Sequence, residues 1–249
     1  MNRKVSNPKQ LVSAYEVKFN AGKEKGIEGI LVNVNQLEVF FNKSNALDIS
    51  WVKYKGNNIS FLSKNGLNSN RSSFTQNFEG GFLYTCGMDN VSSCVKDAPI
   101  HGSLHYKKAD NVFIKEEDDR VIISGSISDT SLFGKNLKLI RNYIVTSHSI
   151  LINDEVVNLG YDNVDYVLLY HTNYGYPFLD EGLSIEMNVD KSIPLTEISK
   201  DNFDDRFNIN APKDNYTEHV YYHYLKEIPV KLDYKINYAK LFTPPEQDL

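Results

Sequence analysis

The sequence predicts an all-β protein, a sandwich or barrel built from many short strands. Three observations carry this. Apolar and polar residues alternate over short runs, turn residues separate those runs, and Tyr and Phe are abundant at 16 and 13 of 249 residues, as broad half-buried sheets require. Strands at this spacing close into packed sheets, and a chain of this length reads as one domain over 1–249.

The elements follow in order. Residues 12–20 are a helical candidate. Residues 28–41 read as two strands with a turn near Asn35, because Val32 and Val34 alternate with asparagines. Residues 112–127 read as a hairpin whose tip is Glu116-Glu117-Asp118-Asp119. Four consecutive carboxylates repel one another and face different ways, so the tip is a solvated turn rather than a metal site. In 136–145, Leu137, Leu139, Arg141, Tyr143 and Val145 share one strand face. An arginine among apolar neighbours must find a partner or a ligand, since an unpaired buried charge is costly. SILINDEVVN (149–158) and YVLLYH (166–171) continue the strand series, and 196–207 is the second helical candidate.

Hydrophobic residues make up 41% and charged residues 24%, enough apolar matter for a core. A net charge of −5 gives no electrostatic support to nucleic-acid or anionic-lipid partners. No apolar run approaches the roughly 20 residues of a membrane helix. The basic amino terminus has no apolar run behind it and so is not a signal peptide; a cytoplasmic location is the expectation. Cys86 and Cys94 are too few for a disulfide framework and are expected to be reduced.

Three segments concentrate polar groups beside glycine and aromatics: FEGGFLYTCGMDN (78–90, ending in Asp89 and Asn90), PIHGSLH (99–105) and LLYHTNYGYPFLDEG (168–182). A metal site from His101, His105 and His171 is a candidate, but His-x-x-x-His is a ligand pair on a helix and Pro99 and Gly102 oppose one. No Gly-x-Ser-x-Gly elbow or phosphate-binding glycine loop is present. Acid–base work on a neutral polar ligand remains. Histidine exchanges protons near neutrality, and tyrosine, amide and carboxylate groups suit a sugar. The alternative is that His101 and His171 are hydrogen-bonded histidines at strand ends.

On these segments, with ALDISWVKYKGNNISFLSKNG (46–66), LFGKNLKLIR (132–141) and EHVYYH (218–223), the sequence resembles the aldose 1-epimerase-like proteins. These form a divergent branch of the galactose-mutarotase superfamily. The resemblance implies a β-supersandwich with a concave sugar-binding cleft and no cofactor or metal. In such enzymes a glutamate takes the anomeric proton while a histidine protonates the ring oxygen. By motif position His171 resembles the acid and His101 the second, binding histidine. Glu218 resembles an acidic group that grips ring hydroxyls, and Asn173, Tyr176, Asp180, Glu181, Arg141 and Asp89 are the further candidate substrate-binding residues from their chemistry.

The sequence departs from that pattern at its end. The family's glutamate base follows the segment matching 218–223, and VKLDYKINYAKLFTPPEQDL (230–249) holds no counterpart. The last glutamate, Glu246, has no strand before it at the right distance, and Asp180 or Glu181 either substitutes for the base or caps a turn. Ser92 stands where relatives have glycine. Closing strands are expected to be missing, which leaves sheet edges open to aggregation or dimerisation. Three functions follow: an aldose epimerase, a non-catalytic sugar-binding protein, and a metal-dependent sugar isomerase.

Overall fold

Alternating burial along the strands dictates how the sheets stack. The computed structural model describes residues 4–70, 73–94, 98–183, 185 and 187–226. Five strands, β1 (Val12–Lys18), β2 (Glu28–Val34), β3 (Leu37–Asn42), β4 (Asp48–Tyr54) and β5 (Asn57–Asn58), form an antiparallel sheet in sequence order. After the short helix α1 (Phe74–Asn77) comes β6 (Leu83–Met88). A four-stranded meander follows: β7 (Asp110–Glu116), β8 (Arg120–Thr130), β9 (Asn136–Thr146) and β10 (Ile150–Asn158). β11 (Val167–Thr172) returns to pair with β6, and β12 (Val189–Pro194) pairs with β13 (Tyr221–Leu225) beyond helix α2 (Glu197–Asp201). This is the expected all-β architecture.

The core lies between the two larger sheets. Ile30, Val32, Val39 and Ile49 of the first meet Val121, Ile123, Tyr143 and Val145 of the second. A second cluster joins Met88 of β6 and Leu104 to Ile127, Leu137 and Leu139. The turn at Asn35 has φ 53°, and residues 117–119 form the tip between β7 and β8. Lys115 and Arg120 neutralise Glu117 and Asp119 there, at 2.7 and 2.9 Å. Residues 196–207 hold α2, capped by Thr196, and a 3-10 turn. No helix among the described residues is long and apolar enough to cross a membrane.

The helical expectation for 12–20 is corrected: residues 12–18 are β1, paired with β2 from Val12↔Val34 to Lys18↔Glu28. Backbone pairing along the sheet edge outweighs a weak local helical preference. The outer edge is also engaged, since Ala14 N–H donates to Glu116 of β7 at 2.8 Å. The expected loss of closing strands, and Glu246, lie outside the described residues.

Arg141 obeys the strand pattern and is wholly buried with its four apolar face-mates. Its guanidinium donates to Asp48 of β4 (2.7 Å), Asp154 of β10 (2.7 Å), Thr85 of β6 (3.0 Å) and the Ala46 carbonyl (3.0 Å). Tyr170 of β11 donates to Asp154 at 2.8 Å. Burial alone would raise the Asp48 carboxyl, yet His105, Arg141 and Thr85 together hold it below its ordinary value.

Replacing Arg141 with Met leaves two buried carboxylates without their cation. The expected loss is about 3–5 kcal/mol in urea unfolding, against less than about 1 kcal/mol for Lys18→Met, whose pair with Glu28 is exposed.

Candidate functional site

β6 is buried at every position and sets the register of β11, with Tyr84 opposite His171 and Thr85 opposite Tyr170. His171 therefore stands one residue beyond the Tyr170–Asp154 bond, at the edge of the buried charge network. His101 reaches the same place from the loop before the 3-10 turn Leu104–Tyr106. Its backbone is left-handed, φ 63°, a conformation that costs a non-glycine residue about 1–3 kcal/mol and concentrates at functional sites.

The loop is tied from several sides. His101 N–H donates to Ser92 O (2.9 Å), and Gly87 N–H donates to His101 O (3.1 Å). Asn90 Nδ2 donates to the carbonyls of Ser92, Ser93 and Pro99. Gly102, φ 78°, lies against the Asn90 and Gly87 carbonyls, where a Cβ would collide. Ser92 thus serves through its carbonyl.

The two imidazoles converge, with ring centroids 5.6 Å apart and planes at 57°. Both residues are half-buried. Phe74 of α1 meets His101 edge-on at 5.0 Å, and Tyr84 lies 6.1 Å from it. Burial pushes the His171 pKa down and the neighbouring His101 pushes it further, against weaker upward pulls from Asn173 and Glu218. Glu218 is exposed but close enough to act on the ring. Near neutral pH His171 is consequently an uncharged imidazole, and its buried Nδ1 has no hydrogen-bond partner among the described residues.

The other expected site residues divide. Asn173 stays with the pair: it acts on His171, and its Nδ2 donates to Gly81 O at 3.0 Å. Asp89 clamps the His101 loop, accepting from Ser103 N (2.9 Å) and Oγ (2.8 Å). Arg141 is enclosed in the network above, so its partner is the protein itself. Asp180 accepts from Glu181 N at 2.8 Å and caps a turn, while Glu181 lines a separate cavity of about 310 Å³ with Asn208 and Asn210. Tyr176 is exposed, and its carbonyl accepts from Asn58.

His105 does not join His101. It is buried, stacked on Tyr84 at 3.8 Å, with Nδ1–H donating to Asp48 (2.7 Å) and Nε2 accepting from Asn45 (3.0 Å). Among the described residues no group of three His, Cys, Asp or Glu side chains is placed to hold a metal ion. Cys86 and Cys94 carry free thiols, and burial pushes that of Cys86 up to about 12. Sequence reasoning missed Tyr84, Phe74 and Asp48. The period-2 pattern of FLYTCGM could have placed Tyr84, whereas Phe74 and Asp48 depend on long-range packing.

The convergence can be checked directly. His101→Asn removes the second cause of depression, so the His171 pKa rises in an NMR titration of its ring protons; an unmoved titration would separate the rings.

Residues 24–230 match the model of a domain of unknown function, DUF4432. Among curated proteins none matches. Among solved structures, a candidate aldose 1-epimerase from Klebsiella pneumoniae superposes with a TM-score of 0.74 at 17% identity, over 85% of this chain and 64% of that one. Galactose 1-epimerase from Lactobacillus acidophilus gives 0.53 at 17%, over 76% and 60%. A candidate mutarotase from Salmonella typhimurium gives 0.57 at 13%, over 76% and 59%. The chain spans about three-fifths of the length of these neighbours, and the likeness at this identity is one of fold. With the family model covering most of its length, the chain belongs to the DUF4432 family, on an aldose 1-epimerase-like β-sandwich fold.

Proposed function

We propose that the protein binds an aldose beside His101 and His171 and interconverts its anomers by acid–base opening of the ring. The observation that carries this reading is the approach of two half-buried imidazoles, 70 residues apart in sequence, to 5.6 Å. Opening a cyclic hemiacetal requires a proton delivered to the ring oxygen and another withdrawn from the anomeric hydroxyl, by groups that exchange roles on closure. His171 supplies the first transfer, solvent water takes the anomeric proton, and His101 and Glu218 hold the sugar. The mutarotase-like fold and the names of the structural neighbours support the same chemistry.

A second reading, a sugar-binding protein without catalysis, draws on the lowered His171 pKa. An imidazole uncharged near neutrality is a weak acid, and a binder needs only its hydrogen-bonding atoms.

Exchange of D-glucose and D-galactose anomers followed by NMR decides between them. The proposed enzyme accelerates exchange above the buffer rate, and His171→Ala lowers that acceleration by about 10²–10⁴-fold. Equal rates for the two proteins remove the acid role. The sign of the pH dependence also follows. The protonated fraction of His171 grows only as pH falls below the ordinary histidine value of about 6.5. The His171-dependent part of the rate therefore climbs toward acid over that interval and is flat in His171→Ala.

A further inference from the structure

The single tryptophan of the chain, Trp51 of β4, lines a cavity of about 290 Å³ together with Phe61, Leu62, Leu67, Lys53 and Glu79. Neither imidazole of the candidate site lines it, nor does Glu218. The indole is held rigidly. It stacks on Phe40 at 4.2 Å with planes 9° apart, and its Nε1–H donates to Glu38 at 3.1 Å.

At the wall lies a carboxylate that the chemistry above does not use. Glu79 is almost wholly buried and accepts from Ser50 Oγ at 2.6 Å. It is delivered there by the two glycines that follow it. Gly80 and Gly81 have φ of 86° and 83°, and a Cβ on Gly80 would lie 2.5 Å from the Phe61 carbonyl. Only glycine permits this close approach of two main chains, so the Glu-Gly-Gly sequence builds the wall.

Size and chemistry define an occupant. The volume lies at the lower limit of small-molecule sites, roughly 300–1,000 Å³, so one ring fits and an oligomer does not. Aromatic and aliphatic walls ask for an apolar face. The Glu79 carboxylate opposes an anion, and the Lys53 ammonium opposes a cation. A neutral ring with one C–H face and peripheral hydroxyls meets neither penalty, and a hydroxyl adds a charge-assisted bond to the carboxylate.

We propose that this cavity is a second ligand site, separate from the histidine pair, that takes one neutral hydroxylated ring of monosaccharide size against Trp51 and Phe61 with a hydroxyl donated to Glu79.

With one tryptophan in the chain, its fluorescence reports on the cavity directly. The probes are methyl β-D-glucopyranoside and methyl β-D-galactopyranoside, whose locked anomeric centres exclude turnover. At least one is expected to give a saturable change with a millimolar midpoint, retained in His171→Ala. Leu62→Asp, at a lining position 67% exposed, and Glu79→Gln are each expected to weaken it about tenfold, the order of one lost charged hydrogen bond. Thermal melts select the variants that remain folded. The site is overturned by no saturable change with either glycoside, by unchanged midpoints in a folded variant, or by loss of the signal in His171→Ala.

Discussion

The contact between Arg141 and Asp48 governs the rest of this molecule. Asp48 belongs to the five-stranded sheet, Arg141 and Asp154 to the four-stranded one, and Thr85 and Tyr170 to the β6–β11 pair. One guanidinium thus joins these three sheets through buried hydrogen bonds. Such a network adds little net stability relative to an apolar core, because desolvation offsets most of the attraction. What it fixes is alignment. A one-residue slip of β9 would turn Arg141 outward and strand two buried carboxylates, so the registers around it are held by a penalty no hydrophobic side chain could impose.

That alignment is passed to the candidate site through neighbours one residue away. Thr85 binds Asp48 and Arg141, and Tyr84 beside it faces His171 across the ladder. Tyr170 binds Asp154, and His171 follows it. His105 binds Asp48 at the far end of the segment that begins with His101. Both imidazoles are accordingly mounted on elements fixed by the same buried charges, which is how a site acquires geometry tighter than loops provide.

Much of this was legible in the sequence, and the illegible part has one physical cause. Period-2 patterning located β2, β3 and β7–β11, and placed Arg141 on the buried face of β9. It also required that arginine to have a partner. It did not reveal which, because Asp48 lies 93 residues away, and a partner within the protein is indistinguishable in sequence from a bound ligand. The same blindness hid the local partners of Asp89 and Asp180, whose carboxylates accept from Ser103 and from the turn at Glu181. Strand β1 escaped for a related reason. Its identity rests on pairing with β2 and on Glu116 from another sheet, not on its own propensities.

The spacing of the two imidazoles bears on how charge is shared within the candidate site. Rings 5.6 Å apart accept a first proton far more readily than a second, since like charges at that distance oppose each other. The downward push of His101 on His171 is that opposition. The depression of His171 therefore depends on the charge its neighbour carries as well as on burial. Glu218 favours charge on His171, but more weakly than burial and the neighbouring His101 oppose it.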